Sequence, residues 1–410
     1  MRIEDIEVTT LLFAYPEASR FRYAGGTCTH RVTSLVEVRT DMGLVGIGCA
    51  YSHPELVRII IEQHLAPHLI GRDPTDVEDL WRDMYQHTRW YGRKGAAISA
   101  LGALDIAFWD LRGKQAGVPV RKLLGPSRDE VPAYASGLLW AEDKDDLRRE
   151  AERHIDRGFR RMKMRLGLGP AYDLPALDAV LAATGKIAEV MVDGSMRYTV
   201  EEAVALAREL SDRGVFWFEE PFEPEHLDRY IELKARSGIS IAAGENEFGP
   251  GGFQELFRLG AIDIAQADSC RSGGITETLA TGKLAAKHGK RLAPHTWSDA
   301  IAVIANAQVV AALDNAITVE VDQTGNPFID DLLNTPLKIT EGALALSDAP
   351  GLGVELNRST IERYRWPAGR PLPPGSYSDM AFAARAANAP GCPDRAAARG
   401  ASLPANDPAP

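Results

Sequence analysis

The sequence has 410 residues, of which 45% are hydrophobic, and its 57 acidic and 46 basic residues give a formal net charge of −11. This hydrophobic fraction is enough for one large core or two, so an intrinsically disordered chain and a small disulfide-stabilised scaffold are excluded. The negative charge, with no long run of basic residues, argues against nucleic acid as a partner.

The N-terminus and the cysteines bear on the compartment and on the ligands available to a metal. Met1–Asp5 is acidic where a signal peptide is basic, and no apolar run approaches the ~20 residues of a membrane span. We therefore expect a cytoplasmic protein without a membrane partner. The four cysteines show no CxxC-like spacing, so any metal is expected to have oxygen ligands.

The first 125 residues predict an α+β domain. Thr33–Thr40 and Leu44–Cys49 alternate in polarity around a glycine-containing turn, which is typical of a β-hairpin. One helix is predicted to begin at Asp73-Pro74, and another to run through Ile98–Trp109. Strands followed by helices favour an α+β unit, which the turn after Gly125 ends.

Residues 126–330 predict a β/α barrel of the TIM type, because eight short apolar runs alternate with longer amphipathic segments. One segment has a clear helix start, since Thr199 and Glu202 form a capping box, and Gly214 marks its end. An open doubly wound sheet is the alternative, but no GxGxxG motif follows an early strand. The eight runs are Val131–Ser136, Phe159–Leu166, Ala188–Asp193, Phe216–Glu220, Ile239–Glu245, Ile262–Asp268, Arg291–His295 and Ile317–Asp322.

The last part of the chain divides into two segments. Residues 331–366 form a strand-like, Gly/Pro-punctuated stretch that we expect to return to the first domain. Residues 367–410 are rich in Ala, Pro and Arg, a composition that predicts a flexible tail.

Ionisable residues stand at the ends of seven of the eight predicted strands, and from Asp193 onward they are 23 to 27 residues apart, about one β/α unit. Active sites of such barrels lie at the C-terminal ends of the strands, so these side chains should converge. Each acid taken alone is more often a solvated or helix-capping residue, but their common phase favours a site. The residues are Lys163, Arg165, Asp193, Glu219, Glu245, Asp268, His295 and Glu320.

Asp193, Glu219 and Glu245 end three consecutive strands and predict a Mg²⁺ site, because a hard cation prefers carboxylate oxygens. Mg²⁺ held there would stabilise charge on a bound carboxylate, which indicates removal of the proton next to that carboxylate. Asp268 and His295 end neighbouring strands, so the acid can fix the tautomer of the imidazole and make it a general base or acid.

Lys163 and Glu320 complete the predicted catalytic set. Lys163 lies across the barrel and is either a second base or a cationic clamp. Glu320 is a candidate hydrogen-bond donor to an enediolate oxygen, provided that apolar surroundings keep it protonated.

The sequence resembles the enolase superfamily, and within it the mandelate racemase subgroup, over residues 1 to about 360. Ser99–Lys114 is similar to a characteristic helix of that family, and the strand-end motifs follow the family's order and spacing. These motifs are Lys163-Met164-Arg165, Val192-Asp193-Gly194, Phe218-Glu219-Glu220-Pro221, Gly244-Glu245-Asn246, Asp268, Pro294-His295 and Glu320.

The resemblance implies an α+β capping domain over a modified (β/α)₇β barrel, with one Mg²⁺ on the three carboxylates and His295 paired with Asp268. It also implies that Lys163 touches the substrate carboxylate and that the protein forms a homo-oligomer, from a dimer to an octamer. Specificity would come from a mobile loop at about Tyr15–Gly26 and a second loop near Tyr51–His53.

Several residues are predicted to contact the substrate. In the first loop, Arg20, Arg22 and Tyr23 suit a polyhydroxy acid, although an ordinary solvated loop explains them equally well. Trp297 and Asp322 lie in segments similar to those of acid-sugar dehydratases and lactone cycloisomerases. The predicted substrate contacts are Arg165, Arg20, Tyr23, Trp297 and Asp322.

Two positions depart from the family pattern. Arg165 stands where racemases and many dehydratases of the subgroup carry a second lysine as a base, and arginine is a poor base. Ser195 stands where many relatives have asparagine, which leaves the contacts around the first metal ligand open.

With Arg165 unable to titrate, the simplest chemistry uses His295 alone, and the predicted activity is Mg²⁺-dependent dehydration of an aldonic or aldaric acid to a 2-keto-3-deoxy acid. The alternatives are cycloisomerisation of an aldaric acid lactone and racemisation or epimerisation of a 2-hydroxy acid. A sugar-acid binding protein without turnover is the non-enzymatic alternative, but binding alone does not require the His295 and Asp268 pair.

Overall fold

An antiparallel sheet forms one layer of the N-terminal domain in this computed structural model, which describes residues 1–23, 26–376 and 380–382. Its first four strands are β1 Ile3–Ala14, β2 Phe21–Tyr23, β3 Gly26–Thr40 and β4 Val45–Ala50. The central strand β3 pairs with β1, β2 and β4. The β3–β4 pairing confirms the predicted hairpin.

Helices cover one face of this sheet. They are α1 Pro54–Ile59, α2 Ala66–Leu69, α3 Val77–Thr88, α4 Ala96–Ala116 and α5 Val120–Leu124, with a π-helical segment, Ile60–Leu65, between α1 and α2. The predicted helix over Ile98–Trp109 is the centre of α4, which is buried and lies against β4. Gly46 and Gly48 permit this close packing, because a Cβ at either would collide with a backbone carbonyl of α4.

Eight parallel strands form a closed barrel, as predicted. They are β5 Glu130–Ser136, β6 Arg161–Arg165, β7 Glu189–Asp193, β8 Phe218–Glu219, β9 Ile241–Ala243, β10 Ile264–Ala265, β11 Arg291–Leu292 and β12 Val319–Asp322. Each strand from β5 to β10 pairs with the next, and β12 pairs with β5. The Ile317 amide donates to the Leu292 carbonyl at 2.9 Å, which joins β11 to the segment before β12 and closes the ring.

Seven helices connect the barrel strands, which gives the (β/α)₇β order. They are α6 Lys144–Asp156, α7 Pro170–Thr184, α8 Val200–Asp212, α9 Leu227–Arg236, α10 Gly249–Arg258, α11 Gly274–Lys287 and α12 Ala300–Ala311. The predicted capping box starts α8, with both reciprocal bonds between Thr199 and Glu202 present.

An apolar layer fills the lower barrel and supports the site above it. Its buried members are Tyr134, Met191, Trp217, Ala242, Ile264 and Ala293. Because side chains alternate between the two faces of a strand, the next inward position is two residues further along, toward the C-terminal end. On β7 and β8 these positions are Asp193 and Glu219, so the ionisable groups lie directly above an apolar floor.

The C-terminal segment returns to both domains and not only to the first. The remaining elements are α13 Pro327–Asp330, β13 Ile339–Thr340, β14 Ala343–Ala345, α14 Arg358–Tyr364 and β15 Met380–Phe382. The hairpin β13–β14 extends the barrel sheet through β5. Beyond α14, Trp366 donates its amide to the Thr10 carbonyl of β1 at 2.8 Å.

Part of the segment predicted as a flexible tail is instead a strand. β15 pairs antiparallel with β3, and Met380 and Ala381 are buried. This strand lies beside Cys28–Arg31 of β3, a long-range pairing that composition alone did not reveal. The prediction for residues 383–410 lies outside the described residues.

Two further observations concern membrane-spanning helices and the cysteines. In the described ranges, no helix has both the length and the apolar character needed to cross a bilayer. Cys28, Cys49 and Cys270 are buried and unbridged.

Candidate active site

Three carboxylates converge at the C-terminal ends of β7, β8 and β9. Asp193 and Glu219 are the last residues of their strands, and Glu245 follows β9 by two residues. One ligand oxygen from each lies within 4.8 Å of the others. The structure therefore brings the predicted metal ligands together.

The chemistry of this cluster fits a hard divalent cation. Oε2 of Glu245 is buried and has no hydrogen-bond partner among the residues that the structure describes, which marks an oxygen available to an ion. Burial raises the pKa of Glu219 to about 8, and the ammonium of Lys163 offsets only part of that effect. A bound cation would offset this cost of burying the ionised carboxylate, and three oxygen ligands suit Mg²⁺.

Lys163 is held among carboxylates at the centre of the barrel. Its Nζ contacts Glu219, lies 2.9 Å from Glu320 Oε1 and lies 3.7 Å from Asp193 Oδ2. Burial by itself would lower the pKa of Lys163, but these acids outweigh it and keep the pKa above its ordinary value. A lysine held in its charged form is a clamp for a carboxylate and a poor base.

Glu320 does not have the apolar surroundings that a protonated donor requires. Oε2 accepts the Thr296 amide at 2.8 Å, and Oε1 pairs with Lys163. Burial would raise the pKa of Glu320, but the charges of Lys163 and His295 lower it to about 2. These contacts favour the ionised carboxyl, and the role of Glu320 as a hydrogen-bond donor to an enediolate oxygen stays a prediction.

His295 and Asp268 form the predicted pair. His295 Nδ1 lies 2.9 Å from Asp268 Oδ2, and Nε2 lies 3.5 Å from Glu245 Oε2. Burial by itself would lower the pKa of His295, but nearby carboxylates, Glu245 first, raise it to about 9. Asp268 fixes the orientation of the ring, and Nε2 faces the carboxylate cluster, where a reacting group would lie.

Arg165 is paired with Asp193, a predicted metal ligand, and is enclosed by two rings. Its Nη1 lies 2.6 Å from Asp193 Oδ2, and its guanidinium carbon lies 5.2 Å from the Tyr23 ring centre and 5.4 Å from that of Trp297. Burial opposes the charge, but Asp193 outweighs it and raises the pKa of Arg165 above its ordinary value. The structure thus brings Tyr23 and Trp297 together with Arg165 at the site.

Two other predicted substrate contacts are placed differently. Arg20 is exposed, and no contact with the site residues is seen for it in the part of the chain that the structure describes. Asp322 is buried, where Oδ2 pairs with Arg31 of the first domain at 2.5 Å and accepts from Asn326 at 3.1 Å. Because Arg31 compensates the charge of Asp322, this carboxylate holds the two domains together. Its position at the end of a strand did not by itself predict that role.

Ser195 contacts Asp193, the first predicted metal ligand, whose surrounding contacts the sequence did not determine. Its amide and its hydroxyl donate to Asp193 Oδ1 at 2.7 and 3.2 Å. Its φ of 51° lies in the left-handed region. This strained turn directs both donors at the carboxylate and leaves Oδ2 to Arg165.

Sequence reasoning missed the residues that support Glu245. Arg271 donates to the Glu245 carbonyl at 2.6 Å and to Asn246 Oδ1 at 2.7 Å, and it lies over the Tyr51 ring. The Tyr51 ring meets the His295 ring edge-on at 5.4 Å. The second loop of the first domain therefore reaches the site, as expected, and Arg271 connects it to the metal ligand.

Two family models match most of the chain. Residues 5–125 match the N-terminal domain of mandelate racemase / muconate lactonizing enzyme, and residues 146–360 match the enolase C-terminal domain-like model. The chain belongs to the mandelate racemase and muconate lactonizing enzyme family of the enolase superfamily. The resemblance and the fold class predicted from the sequence are confirmed.

Relatives of this enolase-superfamily chain cover most of its length. It is 35% identical over 372 residues to the D-galactarolactone cycloisomerase of Agrobacterium fabrum, which covers 88% of this chain and 98% of the relative. It is 35% identical over 334 residues to the arabinonate dehydratase of Saccharolobus solfataricus, covering 80% and 89%. A racemase structure from Streptomyces coelicolor with bound magnesium has a TM-score of 0.82 and 27% identity, covering 89% and 100%.

Proposed function

We propose that this protein is an enzyme that removes the proton next to the carboxylate of a sugar acid and dehydrates the acid to a 2-keto-3-deoxy acid. The observation that carries the proposal is the placement of His295, whose Nε2 faces the three-carboxylate cluster while Nδ1 is fixed by Asp268. A pure binding protein would not need an acid-oriented imidazole there. The arabinonate dehydratase relative supports the reaction class.

The proposed cofactor is one Mg²⁺ on Asp193, Glu219 and Glu245. When bound, it supplies the positive charge that stabilises negative charge developing on the substrate carboxylate. The bound magnesium in the Streptomyces coelicolor racemase supports this choice.

The chain's own residues perform the proton transfers. Lys163 binds the substrate carboxylate. The neutral form of His295, which is the minor form below its raised pKa of about 9, accepts the C2 proton at Nε2. The resulting imidazolium then gives this proton to the departing 3-hydroxyl, so that the C3–O bond breaks and water leaves. The enol tautomerises to the 2-keto acid, which balances the reaction without a second base.

Racemisation is less well supported than elimination. It requires a titrating group on each face of the C2 carbon, and Arg165 carries a permanent charge paired with Asp193. An arrangement with one base favours a reaction in which His295 removes the C2 proton and then gives it to the departing 3-hydroxyl.

Cycloisomerisation of an aldaric acid lactone is a specific second candidate. The Agrobacterium fabrum relative is a D-galactarolactone cycloisomerase, and the match covers 98% of its length. That reaction removes the same type of proton but expels a ring oxygen, so no water is lost. The residues described above serve either reaction.

One experiment distinguishes these reactions. Aldonic acids, aldaric acids and their lactones are incubated with the protein and Mg²⁺ in D₂O, and the products are read by NMR and mass spectrometry. Dehydration releases water and forms a 3-deoxy product, cycloisomerisation conserves mass, and epimerisation inverts C2. Turnover should stop with EDTA and return with Mg²⁺. The proposal is wrong if wild-type protein binds these acids but converts none of them.

The assembly and the compartment are part of the proposal as well. We expect a homo-oligomer, from a dimer to an octamer, in the cytoplasm, with a small-molecule carboxylate as the substrate. Sedimentation of the purified protein measures the oligomeric state, and fractionation of the source cells measures the compartment.

A further inference from the structure

Asn306 is one of two polar side chains in α12, a helix that is otherwise apolar and is buried at all twelve positions. A buried amide without partners destabilises a protein, so a helix of this kind keeps one only where hydrogen bonds are available. The pattern was visible in the sequence as a polar residue inside an apolar run, but its partners were not.

The amide of Asn306 bridges the two loops that carry the catalytic pair. Its Nδ2 lies 2.9 Å from Asp268 Oδ1, 3.1 Å from the His295 carbonyl oxygen and 3.0 Å from Thr296 Oγ1. Its Oδ1 accepts the Ser269 amide at 2.9 Å. One side chain therefore bonds the loop after β10 and the loop after β11, and it lies on neither of them.

These bonds give the two oxygens of Asp268 different environments. Oδ1 receives Asn306 together with the amide and the thiol of Cys270, both at 3.1 Å, whereas Oδ2 receives His295 Nδ1. Rotation of the carboxylate would break the bonds to Oδ1. The bonds to Oδ1, which faces away from the imidazole, thus keep Oδ2 directed at the imidazole.

We infer that Asn306 is a positioning residue, which holds the Asp268 carboxylate and the His295 backbone in the geometry that aims Nε2 at the substrate. This inference rests on the proposed function, because it assigns a catalytic consequence to the His295 and Asp268 pair. Misplacement of a reacting group by about 1 Å lowers a rate by about 10²-fold, so loss of Asn306 should lower kcat by that order.

Gln308 provides a matched control on the same helix. It is equally buried, and its amide accepts the Arg121 amide at 2.7 Å and donates to the Leu352 carbonyl at 3.3 Å. Neither partner belongs to the site. Asn306→Leu and Gln308→Leu each remove a buried amide, fill the space and exclude a replacement water, so both should lower the free energy of unfolding.

Only Asn306→Leu should lower kcat without a matching change in KM. With the acid or lactone turned over in the screen above, we expect kcat to fall about 10²-fold while KM and the Mg²⁺ affinity measured by calorimetry stay within about threefold. Gln308→Leu should retain wild-type kcat. If the leucine variants do not fold, Asn306→Ala and Gln308→Ala are compared in the same way.

Crystal structures of the two variants with Mg²⁺ test the inference without turnover. In the Asn306 variant we expect Asp268 Oδ2 and His295 Nδ1 to separate beyond hydrogen-bonding distance, while the Gln308 variant keeps the 2.9 Å contact. An intact contact in the Asn306 variant, or equal kcat in both variants, overturns the inference. Absence of wild-type turnover contradicts the proposed function instead, and the crystallographic comparison still decides the role of Asn306.

Discussion

Arg165 occupies the end of β6, where a lysine would place a titratable amine beside the substrate. The guanidinium is paired with Asp193 and lies between the rings of Tyr23 and Trp297. Its permanent charge suits binding of a hydroxyl or a carboxylate oxygen, and it cannot exchange a proton with carbon. In the proposed site, His295 can therefore exchange a proton with carbon and Arg165 cannot.

Restoring the lysine should restore a second base. For Arg165→Lys in D₂O with the sugar acid that the substrate screen identifies, we expect the C2-deuterated epimer to form at least about tenfold faster than with wild-type protein. Arg165→Met is the matched control, because it removes the guanidinium without adding a base. Epimer formation by the lysine variant at no more than the rate of the methionine variant would show that the geometry for a second base is absent.

His295 should be required for turnover but not for metal binding. Asparagine can keep the hydrogen bond to Asp268 but cannot take up a proton, so His295→Asn should lower kcat by about 10²- to 10⁴-fold. Its thermal stabilisation by Mg²⁺ should remain. His154→Asn, at a buried histidine on α6 outside the site, should retain wild-type kcat. Unchanged turnover in the His295 variant would contradict the proposed mechanism.

At the scale of elements, helix α4 contains the family's characteristic segment, Ser99–Lys114, and its contacts explain why this segment lies far from the predicted catalytic residues. Asp105, at its centre, accepts the amide and the hydroxyl of Thr276 on α11 at 3.0 and 2.6 Å. Trp109 donates to the same hydroxyl at 2.9 Å. The segment joins the first domain to the barrel helix that follows β10, so it stabilises the assembly of the two halves.

Burial of Asp105 should make stability depend on pH. Burial raises its pKa to about 8, so the folded state retains a proton that the unfolded chain has already released above pH ~4. Stability therefore falls as pH rises from about 4 to about 8. Asp105→Asn resembles the protonated form and does not titrate. Relative to wild-type protein it should gain up to about 1.4 kcal/mol of unfolding free energy per pH unit in this window.

The measurement is urea unfolding of both proteins from pH 5 to pH 9. Asp79→Asn, at an exposed acid on α3, is the control and should follow the wild-type curve. The difference between wild-type protein and Asp105→Asn isolates this carboxyl, because all other titrating groups are shared. Parallel curves for those two proteins would disprove the assignment.

The sequence predicted the elements of the barrel and the strand-end residues, because the apolar runs and the spacing of about one β/α unit between ionisable residues can be read directly along the chain. It overestimated strand length: the apolar run to Glu245 continues past the last paired residue of β9, where the backbone leaves the sheet to carry the ligand. The contacts of Asn306 and Arg31 were not predictable, since they depend on packing between segments distant in the sequence. The β15 strand was missed for the same reason.

At the scale of the whole molecule, the first domain covers the barrel mouth through buried polar contacts. Arg31 pairs with Asp322, and Thr33 donates to Asp299 at the start of α12 at 2.6 Å. The Tyr51 amide donates to the Cys270 carbonyl at 2.8 Å. These contacts limit the access of water to the carboxylate cluster, in which Asp193 and Glu219 are buried and Glu245 is partly exposed. Lower access of water strengthens the charge interactions inside the cluster.

The enclosed cluster should couple metal binding to the stability of the whole fold. Asp193, Glu219 and Glu245 are brought together only in the folded chain, so a ligand that binds them stabilises that state alone. Mg²⁺ at 100 times its Kd should add about 2.7 kcal/mol to the free energy of unfolding, and EDTA should remove this gain.

Glu219→Gln tests this coupling against a neighbouring control. Loss of one ligand should abolish most of the rise in Tm with Mg²⁺. The metal-free variant should stay close to wild-type stability at neutral pH, because glutamine resembles the protonated carboxyl that the raised pKa of Glu219 favours. Glu220→Gln is the control: Glu220 is also buried, but its carboxylate accepts from Gly244 and Asn246 and lies outside the cluster. Calorimetry with and without Mg²⁺ measures each Tm. A Glu219→Gln variant that keeps the full Mg²⁺-dependent rise, like Glu220→Gln, would place the metal elsewhere.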